Sequence, residues 1–187
     1  MKKTLLLLLF ILLAQIMFAK ETHMKNALVV YASFMGSTKE VAAKIKETLE
    51  DKGCKVDVMA AENKAVDLSK YGLVVIGSAI HGAQPHPDVV EFVNMNREAL
   101  NKKPTAVFIV CITITSSKQD LREKAGHYPE LIAVGFKPVS TAVFGGKAND
   151  GGWFGNMMGE WIMGIKTGDF RDWEKIETWA GEIAGEF

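Results

Sequence analysis

One stretch constrains the fold more than any other: Ala27-Leu28-Val29-Val30-Tyr31-Ala32, then Ser33-Phe34-Met35-Gly36-Ser37-Thr38, then Val41, Ala42, Ile45 and Leu49 at helical spacing. A continuous apolar run of β-forming residues that stops at small hydroxyl and glycine residues reads as a strand and its loop. The recurrence of apolar residues every three or four positions after it reads as a helix. A strand, a polar loop and a helix in that order place backbone N–H groups and small hydroxyls at the positive end of a helix dipole. A phosphate or another anion is held most easily there. The stretch predicts a phosphate cradle.

The rest of the chain repeats the unit. Gly53 ends the first helix, and Lys55-Val56-Asp57-Val58-Met59 alternates apolar with polar, the pattern of a half-exposed edge strand. Leu73-Val74-Val75-Ile76-Gly77-Ser78 is apolar on both faces, as in a strand buried inside a parallel sheet. A helix through Val89, Val90, Phe92 and Val93 runs on to Leu100, and Thr105 to Ile112 is a second buried strand. Lys118 to Val134 is weakly helical and is split by Pro129. Val139 to Phe144 is a fifth strand, and Trp173, Ile176, Ala180, Ile183 and Ala184 mark one face of a terminal helix whose start Asp169 or Asp172 can cap. Five alternations of strand and helix predict an α/β fold with a parallel sheet covered on both faces. Ligands of such sheets sit beyond the carboxyl ends of the strands, at the switch point in strand order. Three loops leave strand ends with small polar residues: Ser33 to Thr38, Ser78 to Gln84 and Thr113 to Ser117. One ligand touching all three accounts for them together.

A chain of 187 residues has room for one such domain. Its 22 Lys and Arg balance 22 Asp and Glu, which argues against a nucleic-acid partner. Residues 1–23 stand apart. Lys2 and Lys3 precede an apolar run from Leu5, and Ala19 suits the residue before a cleavage site, so this segment reads first as a secretory signal. The run from Leu5 to Ala19 has 15 residues, short of the roughly 20 that span a bilayer, which makes an N-terminal membrane anchor the second reading. The third is a true start at Met24. The expectation is a protein exported or anchored on the extracytoplasmic side, or a cytoplasmic one if Met24 begins it, with residues 24–187 as the folded domain.

No G-x-G-x-x-G follows the first strand and no G-x-x-x-x-G-K-[ST] occurs, which sets aside the common dinucleotide and triphosphate motifs. Ser33 and Ser78 stand at strand ends where a Mg²⁺-dependent phosphoryl-transfer site of this topology needs carboxylates, so no metal is expected. Ser33-Phe34-Met35-Gly36-Ser37-Thr38 instead resembles the flavodoxin phosphate loop, [TS]-x-T-G-x-T, with Met35 where a hydroxyl residue is usual. Val75-Ile76-Gly77-Ser78-Ala79-Ile80, Phe144-Gly145-Gly146 and Gly168-Asp169-Phe170-Arg171-Asp172-Trp173 extend the likeness across nearly all of residues 24–187. Together they resemble the flavodoxin-domain branch that contains menaquinone-dependent protoporphyrinogen IX dehydrogenase.

That resemblance implies a flavodoxin-like, doubly wound, five-stranded parallel sheet of order 2-1-3-4-5, with FMN as cofactor. By position, Ser33, Phe34, Met35, Gly36, Ser37 and Thr38 would surround the FMN phosphate. Ser78, Ala79, Ile80, His81 and Gly82 would border the ring system on one side, and Thr113, Ile114 and Thr115 on the other. His81 is the ring residue of these two loops and the candidate catalytic group near the flavin; a solvent-facing histidine is the alternative. In this strand order Cys54 and Cys111 lie three strand positions apart, about 14 Å at about 4.8 Å per step. A disulfide cannot span that, so both thiols are expected free.

Three functions stay open. A dehydrogenase would pass electrons from a substrate to a quinone or another redox partner. Lys147 to Lys166, with Trp153, Phe154, Met157, Met158, Trp161 and Met163, would give it an apolar wall for a flat small-molecule substrate or for membrane contact. The dehydrogenase of this branch has a longer insertion rich in Arg and Tyr, whereas Lys147 to Met163 holds one basic residue, Lys147. An electron carrier without its own substrate is the second function, although such carriers are usually strongly acidic. A non-flavin interaction module of the same fold is the third.

Overall fold

The computed structural model describes residues 25–63, 66–148, 157 and 159–187. The N-terminal segment 1–23, with Trp153, Phe154 and Met158, lies outside the described residues. In chain order the strands are β1 (Lys25–Ala32), β2 (Cys54–Ala60), β3 (Leu73–His81), β4 (Gln84–Pro85), β5 (Thr105–Val110), β6 (Ser140–Phe144), β7 (Lys147–Ala148) and β8 (Gly168–Asp169). Among the described residues, four α-helices are defined: α1 (Ser37–Asp51), α2 (Pro87–Leu100), α3 (Gln119–Gly126) and α4 (Trp173–Ile183).

Five strands form the parallel sheet in the order β2-β1-β3-β5-β6. This is the expected 2-1-3-4-5 order; the short β4, which pairs back on β3, shifts the numbers of the last two. The doubly wound α/β fold is therefore present. Side chains alternate along each strand, so successive residues feed opposite layers. Ala27, Val29, Leu73, Val75 and Phe108 pack under α1 and α4 with Ile45, Leu49, Ile176 and Trp179. Leu28, Val30, Val74, Ile76 and Ile109 pack on the other side with Val89, Phe92 and Leu100 of α2. Burying each large side chain in these two layers contributes about 1.5–3 kcal/mol.

Local chemistry explains where elements stop. In β2, Cys54 and Val56 are buried and Lys55, Asp57 and Val58 exposed, as an edge strand requires. The helix expected over Lys118 to Val134 ends as α3 at Gly126, and Pro129 opens a 3₁₀ turn, Tyr128–Leu131. Proline has no N–H to continue an α-helical ladder, but it is tolerated at a helix start. Asp172 caps α4, its Oδ1 accepting the Lys175 N–H at 3.0 Å, while Asp169 pairs with Arg171 instead. Cys54 and Cys111 are both free and buried.

Two strand ends differ from expectation. β3 runs on to His81 and folds back through Gly82 and Ala83, with φ of 56° and 61°, into β4. Positive φ at both central residues is the twist that a two-residue hairpin needs. What reads as an open loop from Ser78 is strand plus hairpin. β5 stops at Val110, and Ile112 turns helical to start the 3₁₀ turn Thr113–Thr115.

Candidate functional site

The loop between β1 and α1 is built around Gly36. Its φ of 90° is a left-handed conformation that glycine adopts without steric cost, and no atom lies within 4 Å of where a Cβ would sit. Ser33 Oγ accepts the Gly36 N–H at 3.0 Å and so tightens the turn. No side chain caps α1, so the amides of its first turn keep their donor capacity for another acceptor. Ser37 Oγ accepts the Lys147 N–H at 3.2 Å, which ties this turn to β7. Thr38 is buried and Ser37 half-buried.

This loop forms one wall of a cleft of about 170 Å³ at the carboxyl ends of β1, β3 and β5. Ser33, Phe34, Met35, Ser37 and Thr38 line the hydroxyl-rich end. Ala79, Ile80 and His81 of β3 face Val110, Cys111 and Ile112 after β5, and Gly146 and Lys147 close the side. One end thus offers hydroxyls, helix-start amides and a lysine, and the other offers apolar walls. That donor set suits a ligand with a phosphate at one end and a flat apolar body at the other. A larger groove of about 570 Å³ runs between the open edge of β6 and α4. It touches none of the three strand-end loops, and the switch-point cleft is where an α/β sheet brings polar loops together.

Several expected residues stand elsewhere. Ser78 is fully buried; its Oγ donates to the Ala79 carbonyl at 2.8 Å and accepts the His86 N–H at 2.9 Å. It fastens the start of α2 to β3. Gly82 lies in the hairpin turn, and Thr113, Ile114 and Thr115 lie one step past the cleft wall. The Thr115 hydroxyl donates to the Ile112 carbonyl at 2.7 Å. Cys111, Ile112, Gly146 and Lys147 line the cleft although sequence reading did not select them. Gly145-Gly146 was the available signal: a Cβ on Gly145 would lie 2.2 Å from the Phe170 carbonyl oxygen, so the chain passes very close there.

His81 sits at the rim and is exposed. Its ring lies 5.6 Å from that of Phe34, which in turn packs at 4.3 Å on His86. Phe34 therefore carries a small aromatic row along the mouth. Burial pushes the Cys111 thiol up to about 11, which leaves it protonated and a poor nucleophile at neutral pH. Among the described residues no group of three or more His, Cys, Asp or Glu could hold a metal ion.

The chain from Gly159 to Met163 makes a single π turn that docks on the loop after β5. Ser117 N–H donates to the Gly164 carbonyl at 2.9 Å, Ser116 Oγ to Met163 and Lys118 Nζ to Ile162. These bonds hold backbone and leave apolar side chains outward: Met157 and Ile162 are exposed and Trp161 is 76% exposed. Among the described residues no helix is long and apolar enough to cross a membrane.

The Flavodoxin domain family model matches residues 28–171. Protoporphyrinogen IX dehydrogenase (quinone) of Escherichia coli strain K12 is 24% identical over 171 residues, spanning 85% of this chain and 94% of that protein. Oxidised flavodoxin 2 from Bacillus cereus superposes with a TM-score of 0.59 at 22% identity, covering 87% of this chain and 99% of that one. The two-electron reduced flavodoxin of Megasphaera elsdenii superposes at 0.55 with 17% identity, over 85% and 98% of the two chains. A family match across most of the sheet, together with its strand order, makes this chain a member of the flavodoxin-domain family, an FMN-binding redox protein.

Proposed function

We propose that the chain is an FMN-dependent oxidoreductase that draws electrons from a reduced macrocyclic substrate of the protoporphyrinogen type and delivers them to a quinone. The observation that carries the reading is the docked π turn. Three bonds spend the polar groups around Gly159 to Gly164 on the loop after β5 and leave Met157, Trp161 and Ile162 facing out. An exposed tryptophan beside other apolar side chains suits a planar partner. The likeness to the Escherichia coli dehydrogenase over most of both chains supports the same substrate class and the quinone.

The cleft residues fit FMN by their chemistry. Ser33 shapes the turn through Gly36, and Ser37, the first-turn amides of α1 and Lys147 would hold the phosphate. Ala79, Ile80, Val110 and Ile112 exclude water from the apolar end. His81 and Phe34, whose rings lie 5.6 Å apart at the rim of the cleft, would border the bound group. FMN supplies the redox chemistry itself, and the protein binds it, tunes it and admits a partner.

The test is oxidation of protoporphyrinogen IX by the flavin-loaded full chain, without oxygen and with a quinone as acceptor. The expected result is porphyrin formation matched by quinone reduction, and no reaction when flavin is removed. A flavin-loaded chain that oxidises no porphyrinogen, yet exchanges electrons with a reductase, would instead be a carrier.

A further inference from the structure

Arg171 is nearly buried, with 7% of its side chain exposed, yet it lines no part of the cleft. Its Nε donates to Asp169 Oδ1 at 2.8 Å and its Nη2 to Asp169 Oδ2, a two-pronged contact. Its Nη1 donates to Glu40 Oε2 at 2.5 Å, and the guanidinium lies 4.7 Å over the Trp173 ring. Glu40 belongs to the first turn of α1, the turn that begins at Ser37. Asp169 belongs to β8, whose register partner on β7 is Lys147, and the Lys147 amide is the donor to Ser37 Oγ. The contacts close a ring from α1 through Arg171 and the β7–β8 pair back to α1.

We propose that Arg171 is the positioning residue that gives this site its preference for a phosphorylated flavin. The inference rests on the FMN site described above. Two effects follow, and both act on the phosphate. First, the clamp keeps the Lys147 amide on Ser37 Oγ. With an N–H already on its lone pair, the Ser37 hydroxyl directs its own proton elsewhere, toward an anion at the helix start. Second, Arg171 neutralises Glu40, so that the first turn of α1 shows no unpaired carboxylate to a phosphate dianion. An exposed ion pair would contribute little to either effect. Here three charge-assisted bonds converge on one guanidinium that is itself 7% exposed, with the Glu40 and Asp169 carboxylates on its solvent side, and the planar fork fixes the geometry that a lysine would not.

The experiment measures binding of FMN and of riboflavin, its form without phosphate, to the flavin-stripped full chain by quenching of flavin fluorescence. The wild-type chain is expected to prefer FMN. Arg171→Met should weaken FMN binding about tenfold while leaving riboflavin within about twofold, so the preference shrinks. Arg171→Lys, which keeps the charge but not the fork, should shift the ratio the same way by a smaller factor, and it serves if the methionine variant does not fold. Equal weakening of both flavins, or an unchanged ratio in both variants, overturns the proposal and leaves the FMN site standing. A wild-type chain that binds both flavins equally overturns the phosphate cradle and the clamp together.

Discussion

Ser37→Asp is expected to abolish FMN uptake while leaving the fold intact. Ser37 is the first residue of α1 and is half-buried, and a carboxylate there is favoured by the helix dipole, so the domain loses no stability. The same carboxylate would stand where the proposed site puts the phosphate. Two like charges about 4 Å apart repel by about 4 kcal/mol at an effective dielectric of about 20, and a phosphate carries close to two. The loss in affinity is on the order of a hundredfold or more. Titration of flavin fluorescence checks it, with a circular-dichroism melt as the control for folding. A variant that binds FMN as the parent does would place the phosphate elsewhere.

Gly77→Ala is expected to cost about 3 kcal/mol of stability, the range for an atom forced into a close-packed core. Gly77 sits mid-strand in β3, paired with Tyr31 on one side and Phe108 on the other. A Cβ there would lie 2.0 Å from Phe108 Cζ, closer than any real contact. The Phe108 ring cannot swing clear. It is fully buried and packs edge-on against Trp179 at 6.1 Å and tilted against Phe144 at 6.4 Å. At roughly 2–4 °C per kcal/mol for a domain of this size, Tm should fall by roughly 10 °C. Gly77→Ala combined with Phe108→Leu should recover part of the loss, since the shorter side chain makes room.

The fold was legible because its signals are local and repeated. Each buried strand is a short apolar run ending in small polar residues, and α1, α2 and α4 show their helical period, so β1, α1, β3 and β5 fall close to where the patterns put them. The β1–α1 loop was legible for the same reason: Ser33, Gly36 and Ser37 form the turn where they stand in the chain. Positions set by tertiary packing were not. Ser78 looks like a ligand donor at a strand end, but the sheet buries it, its hydroxyl donates to the Ala79 carbonyl and its oxygen accepts the His86 N–H. The Gly82-Ala83 turn carries no strong turn signal, since Ala83 takes a positive φ that glycine or asparagine usually fills. Lys147 reaches Ser37 across 110 residues, and Arg171 reaches Glu40 across 131, contacts that no local pattern encodes.

Met35, the departure from the phosphate-loop motif, is 74% exposed. Its side chain contributes little packing, and its backbone amide remains in the loop whether or not a hydroxyl stands there. The missing hydroxyl thus removes one donor from a loop whose turn is shaped by Gly36 and by the start of α1.

The central claim, that the switch-point cleft holds FMN through the β1–α1 loop, is tested most directly by flavin uptake. The purified full-length chain is incubated with FMN, freed of unbound flavin by gel filtration and examined for a visible flavin absorption band. A band corresponding to one FMN per chain, absent from Ser37→Asp, is the predicted result. A parent chain that emerges colourless, or a Ser37→Asp chain that emerges with the same flavin content as the parent, would contradict it.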